Sequence, residues 1–217
     1  MEMLELFSGS GIMAQTFEKN GFVTYTLDKD FECDLKIDLL DLDITLLKGF
    51  NIIWASPPCT TFSVASISTH WKGGSGAYIP KSEACLIGLK LLDKTIEIIS
   101  KQRKLRYWYI ENPRGVMREV IDKIFEKYGI KDVIRHTVTY CQYGEERMKP
   151  TDIWTNNPNW KPRPMCKNGD SCHVSAPRGS RTGTQGLKNN YERSKLPKEL
   201  CEEIVSVSLN SGKESEK

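Results

Sequence analysis

No apolar run in these 217 residues approaches the roughly 18 that a membrane-crossing helix needs, which removes a bilayer anchor from the reading. No secretory leader is expected either: Met1 leads straight into an apolar, strand-like segment, with no basic stretch, apolar core and small-residue cleavage site. A disulfide framework is the third absence. Seven cysteines, at 33, 59, 85, 141, 166, 172 and 201, are odd in number and scattered, the pattern of free thiols in a reducing compartment. A cytoplasmic protein is expected. The length also falls short of two full domains, so a single core with an appendage is expected.

A large overall charge is lacking too, since the chain carries a net +3, yet the balance is uneven. Residues 157–198 hold nine Lys and Arg against Asp170 and Glu192, a local +7 that leaves −4 for the rest. Composition leaves two readings of that stretch open, a phosphate-binding surface and a solvated polar loop.

What is present is alternation. Strand-like runs at Met3–Phe7, Phe22–Leu27, Phe50–Ala55 and Leu105–Ile110 are interleaved with a helix-like Ile12–Lys19 and a long apolar helix over Glu83–Lys101 that Ser82 can cap. That order predicts an α/β fold, a mostly parallel twisted sheet with helices on both faces. Val116, Val120, Ile121, Ile124, Phe125 and Tyr128 mark one face of a further helix, and strands are expected near 132–141 and 151–155. Residues 63–80, rich in Ser and Gly, read as a long mobile loop, with His70, Trp71 and Lys72 placed to close over a ligand.

In an open sheet the chemistry collects beyond the C-terminal ends of the strands. Those ends carry Ser8-Gly9-Ser10-Gly11, Asp28, Cys59 and Glu111. Glycines at 9 and 11 let backbone approach a ligand closely, and the carboxylate of Asp28, about 20 residues on, suits ribose hydroxyls, which implies a nucleoside-containing cofactor. A dinucleotide fingerprint would want a third glycine where Ala14 stands. Cys59 follows Pro57 and Pro58, whose fixed φ angles and missing N–H groups hold a thiol in one orientation, as nucleophilic catalysis requires.

Leu4-Glu5-Leu6-Phe7-Ser8-Gly9-Ser10-Gly11, Ser56-Pro57-Pro58-Cys59, Glu111-Asn112-Pro113 and Arg147-Met148-Lys149 together resemble, in order and rough spacing, the DNA cytosine 5-methyltransferases, in a compact, phage-like form. The likeness covers about residues 1–155. It implies an S-adenosylmethionine-dependent methyltransferase (Rossmann-like) fold, S-adenosyl-L-methionine as cofactor, and methyl transfer to carbon 5 of cytosine. By that resemblance Cys59 would attack carbon 6 of the base, Glu111 would protonate or hydrogen-bond ring nitrogen 3, and Arg147 would help to hold the base. Phe7, Ser8, Gly9, Gly11 and Ile12 would line the methionine and ribose side of the cofactor, Asp28 would bind its ribose, and Pro58 would lie against it. Asp38 would meet the adenine, with Asp41 and Asp43 open as alternatives. Substrate contacts would fall to Pro57, Asn112, Lys149, Arg178 and Arg181. Lys149 stands where the family usually has a second arginine, and lysine cannot reproduce a planar bidentate contact. Pro113 replaces the usual valine.

The resemblance divides the chain into a cofactor-binding and catalytic part (1–155), a reduced, irregular basic recognition segment (156–195), a closing helix (196–209) and a disordered tail (210–217). So short a recognition segment implies short or relaxed target specificity, or help from an accessory recognition subunit. The DNA would be double-stranded with a flipped cytosine, or single-stranded, because a stacked base is beyond the reach of a thiol in a crevice. A bacterial or phage-infected cell is the expected setting. Two alternatives stay open: an RNA cytosine 5-methyltransferase, and a catalytically silent nucleic-acid-binding member of the same fold. Cys166-x5-Cys172-His173 fits no common zinc signature, and a fourth ligand would have to come from as far away as Cys141, so no metal site is expected.

Overall fold

The computed structural model describes residues 1–47, 49–175 and 189–210. Its strands are β1 (Glu2–Leu6), β2 (Val23–Asp28), β3 (Leu35–Lys36), β4 (Ile52–Ala55), β5 (Trp71–Lys72), β6 (Ile79–Pro80), β7 (Tyr107–Pro113), β8 (Ile134–Thr139) and β9 (Pro150–Thr155). Its helices are α1 (Ile12–Glu18), α2 (Ile67–His70), α3 (Glu83–Lys101), α4 (Met117–Lys127), α5 (Asn190–Ser194) and α6 (Lys198–Asn210). Seven strands form one sheet in the order β3-β2-β1-β4-β7-β9-β8, and β5 and β6 form a separate hairpin. The pairs from β3 to β7 are parallel, and β9 runs antiparallel to both β7 and β8. The chain runs from β1 outward to β2 and β3 and then returns to β4 on the other side of β1. That reversal is the switch point at which an open sheet leaves a crevice.

Side chains alternate between the faces of a strand, and this sheet sorts its apolar residues accordingly. Leu4, Leu6, Ile53, Ala55, Trp108 and Ile110 join one cluster with Leu92, Ile96 and Ile99 of α3 and Ile121 and Phe125 of α4. Met3, Ile52, Trp54, Tyr109 and Ile153 join a second cluster with Met13 and Phe17 of α1 and Leu200, Ile204 and Val205 of α6. Each fully buried Leu, Ile or Phe stabilises by about 1.5–3 kcal/mol, so helices on both faces hold the sheet edges that carry the site. Ser82 caps α3 as expected, its hydroxyl accepting from Cys85 N at 3.1 Å.

Two expectations are corrected. The strand expected over Leu105–Ile110 starts later and runs on through Glu111, Asn112 and Pro113, paired with β9 from Tyr109↔Thr155 to Pro113↔Thr151. Glu111 therefore sits within a strand, and the next helix begins only at Met117. Nor are residues 63–80 a free loop. Trp71 is 3% exposed, packs beside Phe62 and Tyr78, and donates its indole N–H to Thr61 O at 2.6 Å. His70 Nδ1 lies 2.7 Å from Ser82 Oγ. Burial of a large aromatic ring outweighs the flexibility that the glycines suggest, so Trp71 and His70 are structural, and of the three expected lid residues Lys72 alone stays exposed. Among the described residues no helix is long and apolar enough to cross a membrane. Of the tail expected over 210–217, Asn210 ends helix α6 instead, and residues 211–217 lie outside the described residues.

Candidate active site

At the end of β1 the chain turns at once. Phe7 takes a φ of 58°, uncommon for a residue with a side chain, and Gly9 and Gly11 follow at 50° and 66°. The neighbouring strand holds this turn: Ser8 N donates to Leu27 O at 3.1 Å, and Gly9 N to Asp28 Oδ2 at 3.0 Å. The other Asp28 oxygen accepts from Asp30 N at 2.8 Å and Phe31 N at 3.2 Å. One carboxylate thus ties the glycine turn to the loop after β2. Beneath it lies Glu5, a buried carboxyl in β1 that belongs to the first motif but was given no role, whose Oε2 accepts from Ala14 N at the start of α1 at 2.8 Å. Burial pushes the Glu5 carboxyl up from 4.5 to about 8, against the downward pull of the Ala14 and Met13 N–H groups.

A crevice of about 180 Å³ opens beside the turn. Phe7, Gly9, Asp28, Asp38 and Pro58 line it, with apolar walls that include Phe31, Ile37 and Leu39. Asp38 is thereby distinguished from its neighbours: its Oδ1 accepts from Leu40 N at 3.0 Å and its Oδ2 lies 3.6 Å from Lys29 Nζ at the crevice, whereas Asp43 caps Thr45. Ser8, Gly11 and Ile12 do not line the crevice. Ser8 O accepts from Gly11 N at 2.7 Å within the turn, and Ile12 packs against the second apolar cluster.

One strand over, β4 is buried at all four positions and delivers Ser56-Pro57-Pro58-Cys59. Asn112 on β7 braces this turn by donating Nδ2–H to Pro57 O at 2.8 Å. Asn112 is 0% exposed and Pro57 is also buried. A side chain with no exposed surface cannot touch an incoming nucleotide, so the substrate contact expected of Asn112 is replaced by a positioning task. Beyond Cys59 a short 3-10 turn is pinned to the segment after β7. Val116 N donates to Phe62 O at 2.8 Å, and a Cβ on Gly115 would stand 2.1 Å from that oxygen, so only glycine fits.

Cys59 keeps an open side to solvent while its sulfur lies low against protein. Loss of water pushes its thiol up, Lys149 pulls it down, and Glu111 pushes it up again. Glu111 is buried and its Oε1 accepts from Tyr140 O–H at 2.9 Å, with Lys149 Nζ at 4.0 Å. Burial pulls the Lys149 ammonium down, while Glu111 and Cys59 hold it up. That ammonium also sits 4.5 Å from the Tyr140 ring centroid.

By resemblance Arg147 would hold the base, with Lys149 in place of a usual arginine. In the structure it is Lys149, and not Arg147, that lies beside Cys59 and Glu111. Arg147 donates Nε–H to Glu145 Oε2 at 2.6 Å and Nη1–H to Arg193 O at 3.1 Å, so its guanidinium is engaged within the protein. Lys149 is the cation beside Cys59 and Glu111, and it donates to the same Arg193 oxygen at 3.1 Å. Helix α5 also escaped the sequence reading. It carries Arg193 to this cluster, brings Ser194 to the crevice wall, and sets Tyr191 5.3 Å from Phe31. Arg178 and Arg181, the expected phosphate contacts, lie outside the described residues.

Comparison with protein-family models gives no match. A Frog virus 3 (isolate Goorha) protein named "Probable DNA (cytosine-5)-methyltransferase" is 30% identical over 226 residues, which span 95% of this chain and 100% of that protein. The chain belongs to the DNA (cytosine-5)-methyltransferase family. The fold agrees. A methyltransferase of Entamoeba histolytica superposes with a TM-score of 0.54 at 14% identity, over 76% of this chain and 56% of that one. A prophage-encoded DNA modification methyltransferase of E. coli gives 0.51 at 16% identity, over 71% and 46%. The chain spans about half the length of those solved chains. Cytosine-5 methyltransferases of this fold use S-adenosyl-L-methionine, and the crevice suits that cofactor: two carboxylates offer acceptors to hydroxyl and amino groups, and apolar walls between them suit a flat base.

Proposed function

We propose that this protein methylates carbon 5 of cytosine in DNA through a transient bond between Cys59 Sγ and carbon 6 of the base. The observation that supports the reading most is the convergence of Cys59, Glu111 and Lys149 beside a crevice lined by Asp28, Asp38 and Pro58. Carbon 5 of cytosine is a weak nucleophile, and adding a thiolate at carbon 6 turns the ring into an enamine that can attack an electrophile. The Lys149 ammonium favours the thiolate form of Cys59. Glu111, oriented by Tyr140, protonates or hydrogen-bonds ring nitrogen 3 and draws off the charge that develops in the ring. S-adenosyl-L-methionine would supply an activated methyl group when bound, and Asp28 would hold its ribose and Asp38 its adenine. Once carbon 5 has taken the methyl, loss of its proton drives out the Cys59 sulfur and restores the aromatic ring.

The target cytosine reaches the thiol extruded from a duplex or on a single strand. The basic stretch over 156–195 holds phosphates, which adds affinity and carries little sequence information, so the target site is short or relaxed. Sequencing the modified bases of DNA from cells expressing the chain tests the reading. 5-Methylcytosine at short or degenerate sites is expected, absent with Cys59→Ala. Methylation confined to RNA, or none from a folded protein that binds cofactor, would overturn the activity. A long, strictly read site would overturn the specificity.

A further inference from the structure

Away from the catalytic crevice, the fold gathers four metal-ligating side chains from separate stretches of chain. Cys141 lies in the 3-10 turn after β8, Cys166 in the extended run after β9, and Cys172 and His173 follow a tight loop. That loop is closed by Asp170 N donating to Lys167 O at 3.1 Å and Lys167 N to Asp170 Oδ2 at 2.6 Å, with Gly169 at a φ of 97°. The three sulfurs and one imidazole nitrogen all lie within 4.8 Å of one another. We propose that Cys141, Cys166, Cys172 and His173 form a structural zinc site that staples the short basic segment to the turn carrying Arg147.

The distances support a shared ion. Zinc at about 2.3 Å from sulfur and about 2.0–2.1 Å from nitrogen puts the edges of its tetrahedron near 3.8 Å for S···S and near 3.6 Å for S···N. Cys141 Sγ and Cys172 Sγ are 3.7 Å apart, and His173 Nδ1 is 3.7 Å from Cys166 Sγ and 3.6 Å from Cys172 Sγ. Cys141 Sγ and Cys166 Sγ are 3.0 Å apart, too far for a disulfide of about 2.05 Å. Three thiols and an imidazole with no carboxylate are a soft donor set that selects zinc over magnesium or calcium. Four protein ligands leave no open position, which marks a structural site rather than a catalytic one.

The segment has reason to need such a staple. Met165 and Val174 are exposed, so little apolar burial holds the run from 161 to 175. Arg163 anchors the start of the run to Tyr143 and Gln142, and beyond it Cys166 N donates to Thr139 Oγ1 at 3.1 Å and Val174 N to Glu146 O at 3.0 Å, beside the Glu145 that holds Arg147. The metal would thus fix the turn over 140–149 and the run over 161–175 as one piece.

Metal analysis of the purified full chain by plasma mass spectrometry, after equilibration with zinc and gel filtration, tests the site independently of methyl transfer. About one zinc per chain is expected, falling at least fivefold in the Cys141→Ser/Cys166→Ser variant and unchanged in Cys33→Ser. Because the double variant can fail to fold, the wild-type chain is also loaded with cobalt, where thiolate-to-cobalt charge-transfer absorption is expected. Chelation of the wild type should speed proteolysis between 156 and 175 about tenfold. Zinc below about a fifth of an equivalent in the wild type, or a Cys141–Cys166 disulfide in its mass, overturns the site. Bound zinc whose removal leaves the cleavage rate unchanged overturns the stapling.

Discussion

The parallel and antiparallel halves of the sheet build their shares of the site by different means. In the parallel half, β1, β2 and β4 each present functional groups within a few residues of their own C-terminal end: Phe7 and Gly9, then Asp28, then Cys59. In the antiparallel half, Glu111 is oriented by Tyr140, 29 residues away in sequence, and Arg147 is held by the backbone of Arg193, 46 residues away. The first half works by local turns on a rigid strand. The second depends on packing between distant segments, and its charges acquire their properties only there. Cofactor binding should therefore respond to single residues of the parallel half, and the reactivity of Cys59 to the long-range assembly around β7 and β9.

Lys149→Gln breaks the comparison most severely. With the ammonium gone, the Cys59 thiol loses the strongest of the groups that pull it down, leaving Arg193 and a backbone hydrogen bond against burial and Glu111, so it moves further up. Methyl transfer at neutral pH should fall about 10²- to 10³-fold, and the acid limb of the kcat/KM profile should move to higher pH by about one unit, with cofactor affinity held. An unchanged pH profile would remove Lys149 from the account.

Asp28→Asn probes the local half. It should weaken cofactor binding about tenfold in calorimetry, while Asp43→Asn, whose carboxylate caps Thr45 away from the crevice, leaves it within about twofold. Equal effects would mean that the crevice is not the cofactor site.

Glu5→Gln acts on stability and leaves the chemistry of the site alone. The Glu5 carboxyl stands at about 8 in the fold against 4.5 without it. The proton is therefore bound more tightly in the folded chain, so this contribution to stability is fully present below pH 4.5 and is lost as pH rises toward 8. Urea unfolding of the wild type should show a downward slope of up to about 1.4 kcal/mol per pH unit within that window, and the variant should lack it. Identical slopes in the two proteins would show that Glu5 titrates normally.

How far each half was legible in the sequence follows the same division. β1, α1, β2 and α3, the glycine turn, Asp28 and the Pro-Pro-Cys turn could be read from alternation, caps and short motifs, because each is fixed by residues close together in the chain. Glu5 was overlooked because a carboxylate within an apolar strand shows no partner until α1 packs over it. Asn112 and Arg147 were read as contacts by resemblance, and only the pairing of β7 with β9 shows one bracing Pro57 and the other engaged by Glu145. Glycines at 73, 74 and 76 suggested mobility, yet Trp71 carries their segment into the core. The sulfur cluster had no recognisable spacing because three stretches of chain supply it.

The bond proposed between Cys59 sulfur and the cytosine ring can be caught directly. Mixing the protein and S-adenosyl-L-methionine with DNA carrying 5-fluorocytosine, on which the carbon 5 proton cannot be removed, should trap that bond. Mass spectrometry should then find one modified peptide, containing Cys59, and none with Cys59→Ala. Methylation of ordinary DNA by the same preparation with no trapped adduct, or an adduct at another cysteine, would contradict the account.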